Sequence, residues 1–139
     1  ARAGVGVQDR EHIEHIASVM GEFVWVEREE LLDAVTALSG SGPAYVFYFL
    51  EAMAAAGVEM GLSHAQAYHL AVETFRGAGE LAKFSDEPPE VLRQRVTSKG
   101  GTTYAALQSM ESAGVAAAFE RAMEAARQRA DELGNEFGG

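Results

Sequence analysis

The chain has 139 residues, 47% of them hydrophobic, with 21 acidic against 11 basic side chains and a net charge of −10. That length fits one domain able to fold without staples, and the absence of cysteine rules out disulfides and thiolate metal sites. The negative field repels a polyphosphate backbone and an anionic membrane surface, so neither nucleic acid nor membrane is an expected partner.

The longest apolar run, Pro43 to Leu50, falls far short of the roughly 20 residues that cross a bilayer. The start Ala1-Arg2-Ala3 has neither Met nor an apolar h-region and resembles no signal peptide, so a cytoplasmic protein is expected. From there the pattern is helical almost throughout. Asp9 is placed to cap a first helix through about Met20, with Ile13, Ile16, Val19 and Met20 on one face, and Gly21 ends it. Phe23-Val24-Trp25-Val26, short, aromatic and β-branched, predicts a strand. A lone strand cannot satisfy its own edges. Helix then strand therefore reads as the last αβ step of a parallel sheet whose remainder is absent.

Glu29 to Leu38 predicts a short helix, broken by Ser39-Gly40-Ser41-Gly42-Pro43. Pro43 suits the first turn of the next helix, about Pro43 to Met60. That helix is apolar nearly all round (Tyr45, Val46, Phe47, Tyr48, Phe49, Leu50, Met53), so it demands burial on every face. One small domain rarely encloses a helix fully, which makes a second chain the natural cover. Gly61 stops this helix, and Ser63 caps one running to about Phe84. Asp86 with Pro88 opens another that ends near Thr97. Thr102 or Thr103 is expected to cap a helix from Tyr104 to Ser112. After Gly114 a final amphipathic helix spans about Val115 to Leu133, with Gly134 to Gly139 expected to fray. The fold class is all-α, a helical bundle with one stray strand.

Two segments stand out as candidates for chemistry. In Thr36-Ala37-Leu38-Ser39-Gly40-Ser41-Gly42-Pro43-Ala44-Tyr45 the glycines allow close backbone approach, although a plain helix-to-helix turn is the simpler explanation from composition. In Val96-Thr97-Ser98-Lys99-Gly100-Gly101-Thr102-Thr103 a Gly-Gly loop runs into a helix N-terminus flanked by hydroxyls. Unpaired N–H groups and the positive end of the helix dipole make such a place an anion site suited to a carboxylate or one phosphate. A capped helix start without a ligand is the alternative. His64, His69 and Glu73 lie along one helix, but an i, i+5 histidine pair shares no face, so no metal is expected. No serine has a histidine and acid partner, and no G-x-G-x-x-G follows a strand.

The two segments together, in order and spacing, resemble the pyrroline-5-carboxylate reductase family: Asp33 through Val46, then Ala56-Gly57-Val58-Glu59-Met60-Gly61-Leu62, then Val96 through Thr103. The resemblance extends over roughly residues 20 to 134. It implies an N-terminal Rossmann domain for NADPH or NADH and a C-terminal helical dimerisation domain like that of 6-phosphogluconate dehydrogenase. Residues 1–27 would then be the remnant of the first and 28–139 the second. It implies hydride transfer to the imine carbon of 1-pyrroline-5-carboxylate, giving L-proline. Ser98, Gly100, Gly101 and Thr102 would hold the substrate carboxylate, and Thr103, the catalytic residue, would offer its hydroxyl to the ring nitrogen. The cofactor-binding residues would lie mostly in the missing domain, so the chain alone is expected to be inactive. A homodimer is expected, with a ring of dimers as the further level open to it. The family's commonest loop has proline where this chain has Lys99. A helical dimerisation module without chemistry, or the helical half of a related two-domain dehydrogenase, are the other readings.

Overall fold

The computed structural model describes residues 5–137. Seven α-helices follow one another among them: α1 (Val7–Met20), α2 (Leu31–Val35), α3 (Gly42–Glu59), α4 (His64–Lys83), α5 (Pro89–Arg95), α6 (Thr102–Ser112) and α7 (Val115–Phe137), with a π-helical turn, Thr36–Gly40, between α2 and α3. None is long and apolar enough to cross a membrane.

α1 starts two residues before the expected cap. Asp9 sits inside the first turn, and its carboxylate accepts the Gly6 N–H at 3.0 Å, a reach back from the third helical position. The expected strand does not form. Residues 23–26 have no regular secondary structure, and no ladder partner exists among the described residues. The segment is held by side chains instead: Trp25 Nε1 donates to Glu14 Oε1 at 2.6 Å, and the Arg10 guanidinium lies 4.8 Å from the Trp25 ring. Lys83 on α4 pairs with Glu22 at 3.0 Å.

The expected helix over 29–38 is shorter as an α-helix and then widens. Ser41 N–H reaches back five residues to the Thr36 carbonyl at 2.8 Å, and the Tyr45 hydroxyl donates to the Ala37 carbonyl at 3.0 Å. The glycine-rich break is thus a π turn leading directly into α3, with Pro43 in the first turn where no N–H is needed.

α3 and α4 form the tightest pair. Leu50 and Ala54 of α3, with Ala67 and Ala71 of α4, are buried. Gly57 completes this seam, since a Cβ added there would lie 2.8 Å from the Ala67 Cβ. α4 starts on a reciprocal cap: Gln66 N–H donates to Ser63 Oγ at 3.3 Å, and Ser63 N–H to Gln66 Oε1 at 3.0 Å. α7 lies against the π turn and α2, with Phe119 edge-on to Tyr45 at 5.5 Å and tilted to Phe49 at 5.8 Å.

Three further boundaries differ from the sequence reading. α5 begins at Pro89, because Pro88 takes the extended cap position, so Asp86 lies outside it. Gly101 caps α6, so Thr102 and Thr103 are its first two helical residues rather than its caps. α7 continues through Gly134 to Phe137, held there by Arg129, which pairs with Glu132 at 2.8 Å and Glu136 at 3.0 Å. The frayed tail expected from Gly134 onward is therefore helical as far as Phe137, and Gly138 and Gly139 lie outside the described residues.

The buried core is small-residue and thin, while the surface is large. A compact monomer of this mass exposes roughly 7,000 Å², whereas this chain exposes 11179 Å². The excess is apolar in part: Phe47 is 60% and Tyr48 70% exposed on α3. The all-round burial that α3 requires is thus met on one face only within the chain.

Candidate functional site

The loop between α5 and α6 is built on a closed turn. At its root Thr97 Oγ1 donates to the Arg93 carbonyl at 2.6 Å and Thr97 N–H to the Gln94 carbonyl at 3.0 Å, which ends α5. Arg95 pairs with Glu87 at 2.6 Å, tying that end of α5 back to the segment before Pro88. Glu87 N–H in turn donates to Ser85 Oγ at 3.1 Å. This pair was not legible as a contact in the sequence, because it spans eight residues across Pro88-Pro89.

The turn itself runs from Ser98 to Gly101, closed by Gly101 N–H donating to the Ser98 carbonyl at 3.0 Å. Gly100 has φ +73°, a left-handed conformation that a side chain makes costly. A Cβ at Gly101 would run into Ser98 Oγ, so the Ser98 hydroxyl is folded over the cap of α6. Both glycines therefore have a local cause, one conformational and one steric.

α6 starts with its donors free. The first helical closure is Ala105 N–H to the Gly101 carbonyl at 3.1 Å, which leaves the N–H groups of Thr102, Thr103 and Tyr104 without an intrahelical acceptor. No side chain caps this end, and no acidic residue lies in its first turn. The positive end of the helix dipole is thus uncompensated by the chain, the condition under which a helix N-terminus takes an anion. Ser98, Gly100 and Thr102 are exposed, while Gly101 and Thr103 are half-buried. All five predicted residues fall within this turn and the first helical residues of α6, with Ser98 Oγ beside the Gly101 cap.

The site is open. A pocket of about 150 Å³ adjoins the loop between α5 and α6, lined by Arg93, Thr97, Tyr104 and Glu111 among others, but none of the five residues lines it. An apolar groove of about 690 Å³, between Tyr45, Tyr48 and Phe49 of α3 and Ala118, Phe119 and Ala122 of α7, involves other parts of the fold. A small acid at the α6 N-terminus would be held by this chain from one side.

The other candidates find ordinary partners. His64 stacks on Tyr68 with ring centroids 6.5 Å apart, and Glu73 pairs with Arg76 at 2.6 Å, a hydrogen bond that lowers its pKa. Glu124 is lowered to about 2 by hydrogen bonds from Arg127 and Gln128 on α7. These are solvated helix faces.

Residues 29–133 match the model of the pyrroline-5-carboxylate reductase dimerisation family. The chain is 43% identical over 138 residues to the pyrroline-5-carboxylate reductase of Pseudomonas aeruginosa, covering 99% of this chain and 50% of that one. Against the corresponding protein of Corynebacterium melassecola the identity is 42% over 130 residues, covering 94% and 48%. Among solved structures, a pyrroline-5-carboxylate reductase from Coxiella burnetii superposes with a TM-score of 0.91 at 38% identity, over 96% of this chain and 49% of that one. The Plasmodium falciparum pyrroline carboxylate reductase, solved with NADP bound, gives 0.87 at 33% identity, over 96% and 50%. The chain spans about half the length of these relatives. A family match over residues 29–133, together with the same fold at these identities, places the chain in the pyrroline-5-carboxylate reductase dimerisation family.

Proposed function

We propose that this chain is the dimerising, substrate-holding part of a reductase that converts 1-pyrroline-5-carboxylate to L-proline. The observation that carries the reading is the uncapped start of α6, with three free N–H groups beside the hydroxyls of Ser98, Thr102 and Thr103. The substrate carboxylate sits on those N–H groups, with the Gly100-Gly101 turn allowing its close approach and Ser98 and Thr102 supplying further donors. Thr103, half-buried in the first turn, donates its hydroxyl to the ring nitrogen and fixes which face of the ring is presented. That bond strengthens as electron density moves onto the nitrogen during reduction of the neighbouring carbon.

A nicotinamide cofactor, NADPH or NADH, supplies the hydride. The described residues do not fit its dinucleotide, because no strand leads into a glycine-rich helix start among them. The cofactor seat is assigned to the part of the relatives' length that this chain does not span. In this reading residues 1–27 belong with that part. The exposed Ile16 and Val19 on α1, which touches little besides the Trp25 segment, support the division. The partner is a second copy of the chain, supported by the excess exposed area and the bare aromatic face of α3. Assembly beyond the dimer would add mass in steps of two chains.

Steady-state kinetics on the intact enzyme test the site. A hydrogen bond to a charged group contributes about 1.5–3 kcal/mol, so Thr103→Ala should lower kcat/KM by about 10- to 150-fold, with kcat falling at least as much as affinity. Ser98→Ala should mainly raise KM, since the carboxylate is held equally in ground and transition states. Unchanged kinetics in Thr103→Ala would reduce the loop to a helix start without chemistry.

A further inference from the structure

The charge along this chain is unevenly placed. Although the net charge is −10, no Asp or Glu occurs between Glu90 and Glu111, the longest acid-free interval in the sequence. That interval holds Arg93, Arg95 and Lys99, and the anion-receptive turn lies in its middle. The three cations are not equivalent. Arg95 is engaged by Glu87 at 2.6 Å, and Arg93 sits under the loop in the pocket that also contains Glu111. Lys99 occupies the turn between Ser98 and Gly100, is exposed, and makes no ion pair among the described residues. The other lysine, Lys83, is paired with Glu22.

We infer that Lys99 is a substrate-recruiting residue: its ammonium draws the anionic carboxylate to the start of α6 and sets a preference for acids over neutral analogues. This rests on the loop being the carboxylate site proposed above. Backbone N–H groups bind at contact distance and do little for encounter, whereas a full charge acts over a Debye length, about 10 Å at 0.1 M salt. In a protein this acidic, an incoming anion is repelled from most directions. The acid-free interval is the stretch of chain that adds nothing to that repulsion, and Lys99 stands exposed in its middle. A compact charge on a flexible stem attracts without imposing geometry. It therefore acts on capture of the acid more than on the chemical step.

One unit charge at about 7 Å in water changes binding by about threefold. At low ionic strength Lys99→Gln should raise KM for 1-pyrroline-5-carboxylate by about that factor, with kcat moving less. Lys99→Glu should raise it by about tenfold, the effect of removing one charge and adding its opposite. The differences should shrink towards none at about 0.5 M salt, and Lys99→Arg should restore the wild-type value. A second readout needs no turnover: calorimetric titration of the intact protein with tetrahydrofuran-2-carboxylate, and with its neutral carboxamide. The carboxylate should show the same salt-sensitive loss in Lys99→Gln, while the carboxamide responds to neither change. Wild-type protein that fails to bind the carboxylate overturns the loop site and this inference together. Wild-type binding with Lys99→Gln unchanged at low salt overturns the inference alone. So does a loss that persists at high salt and is not restored by arginine. A shift in KM for NADPH with that for the acid unmoved would assign Lys99 to the cofactor phosphates instead, and would equally overturn it.

Discussion

The two faces of α3 are built on opposite plans. The face against α4 uses the smallest residues available: Ala54 and Gly57 meet Ala67 and Ala71, with Leu50 as the one large side chain. Across the helix from that seam lies Tyr48, 70% exposed, beside Tyr45 and Phe49, which reach Phe119, while Phe47, 60% exposed, stands on the seam's own stripe seven residues before Ala54. Alanines bury little area, while each large apolar side chain fully withdrawn from water contributes about 1.5–3 kcal/mol. The chain thus settles the geometry of α3 and α4 internally and leaves much of its hydrophobic stabilisation unused on the surface. A fold of this kind fixes the register of its helices within one chain and, in the proposed dimer, would draw further stability from contact with another.

Breaking the first face should have the larger effect. Gly57→Val places two methyls where even a Cβ would stand 2.8 Å from that of Ala67, a methyl fixed directly to the α4 backbone and not a flexible tip. Overpacking of this sort costs about 1–3 kcal/mol and forces the two helices apart. The thermal midpoint followed by circular dichroism should drop by several degrees. An unchanged midpoint would mean that α3 and α4 are less closely seated than the seam requires.

A smaller effect sharpens the other side of the comparison. Tyr45 links the aromatic face to the π turn through its hydroxyl on the Ala37 carbonyl. Tyr45→Phe keeps the ring against Phe119 and removes only that bond, worth about 0.5–1.5 kcal/mol. Urea unfolding should register a loss in this range with no change in assembly. No loss would assign the π turn to the Ser41–Thr36 backbone bond alone.

What the sequence made legible follows from the range of the forces involved. Starts and stops governed by neighbours in sequence were readable, as with the Ser63–Gln66 cap and the stop at Gly61. The Gly100-Gly101-Thr102-Thr103 run identified the loop, because its glycines answer local demands of φ and space. Features set by distant partners were not readable. Phe23 to Val26 has strand composition but no strand to pair with here. Gly134 looks like a stop but is carried through by Arg129, which pairs with Glu132 before it and Glu136 beyond it. The π turn depends on a hydroxyl nine positions after the turn's first residue, and the root of the loop on an ion pair across two prolines. Lys99 was visible as a departure from the family's proline, yet its role emerges only beside the acid-free interval and the free start of α6.

The most direct test of the account is the mass of the chain in solution. Obligate interfaces of this type bury upwards of about 2,000 Å², ample to hold two chains together at about 10 µM. Static light scattering should give twice 14.8 kDa for the wild-type chain. Tyr48→Asp, which puts a charge on the bare aromatic face, should return it to one chain with helix content retained. A wild-type mass of 14.8 kDa at that concentration would contradict the assignment of the α3 face to a second copy, and with it the dimerising role proposed for this domain.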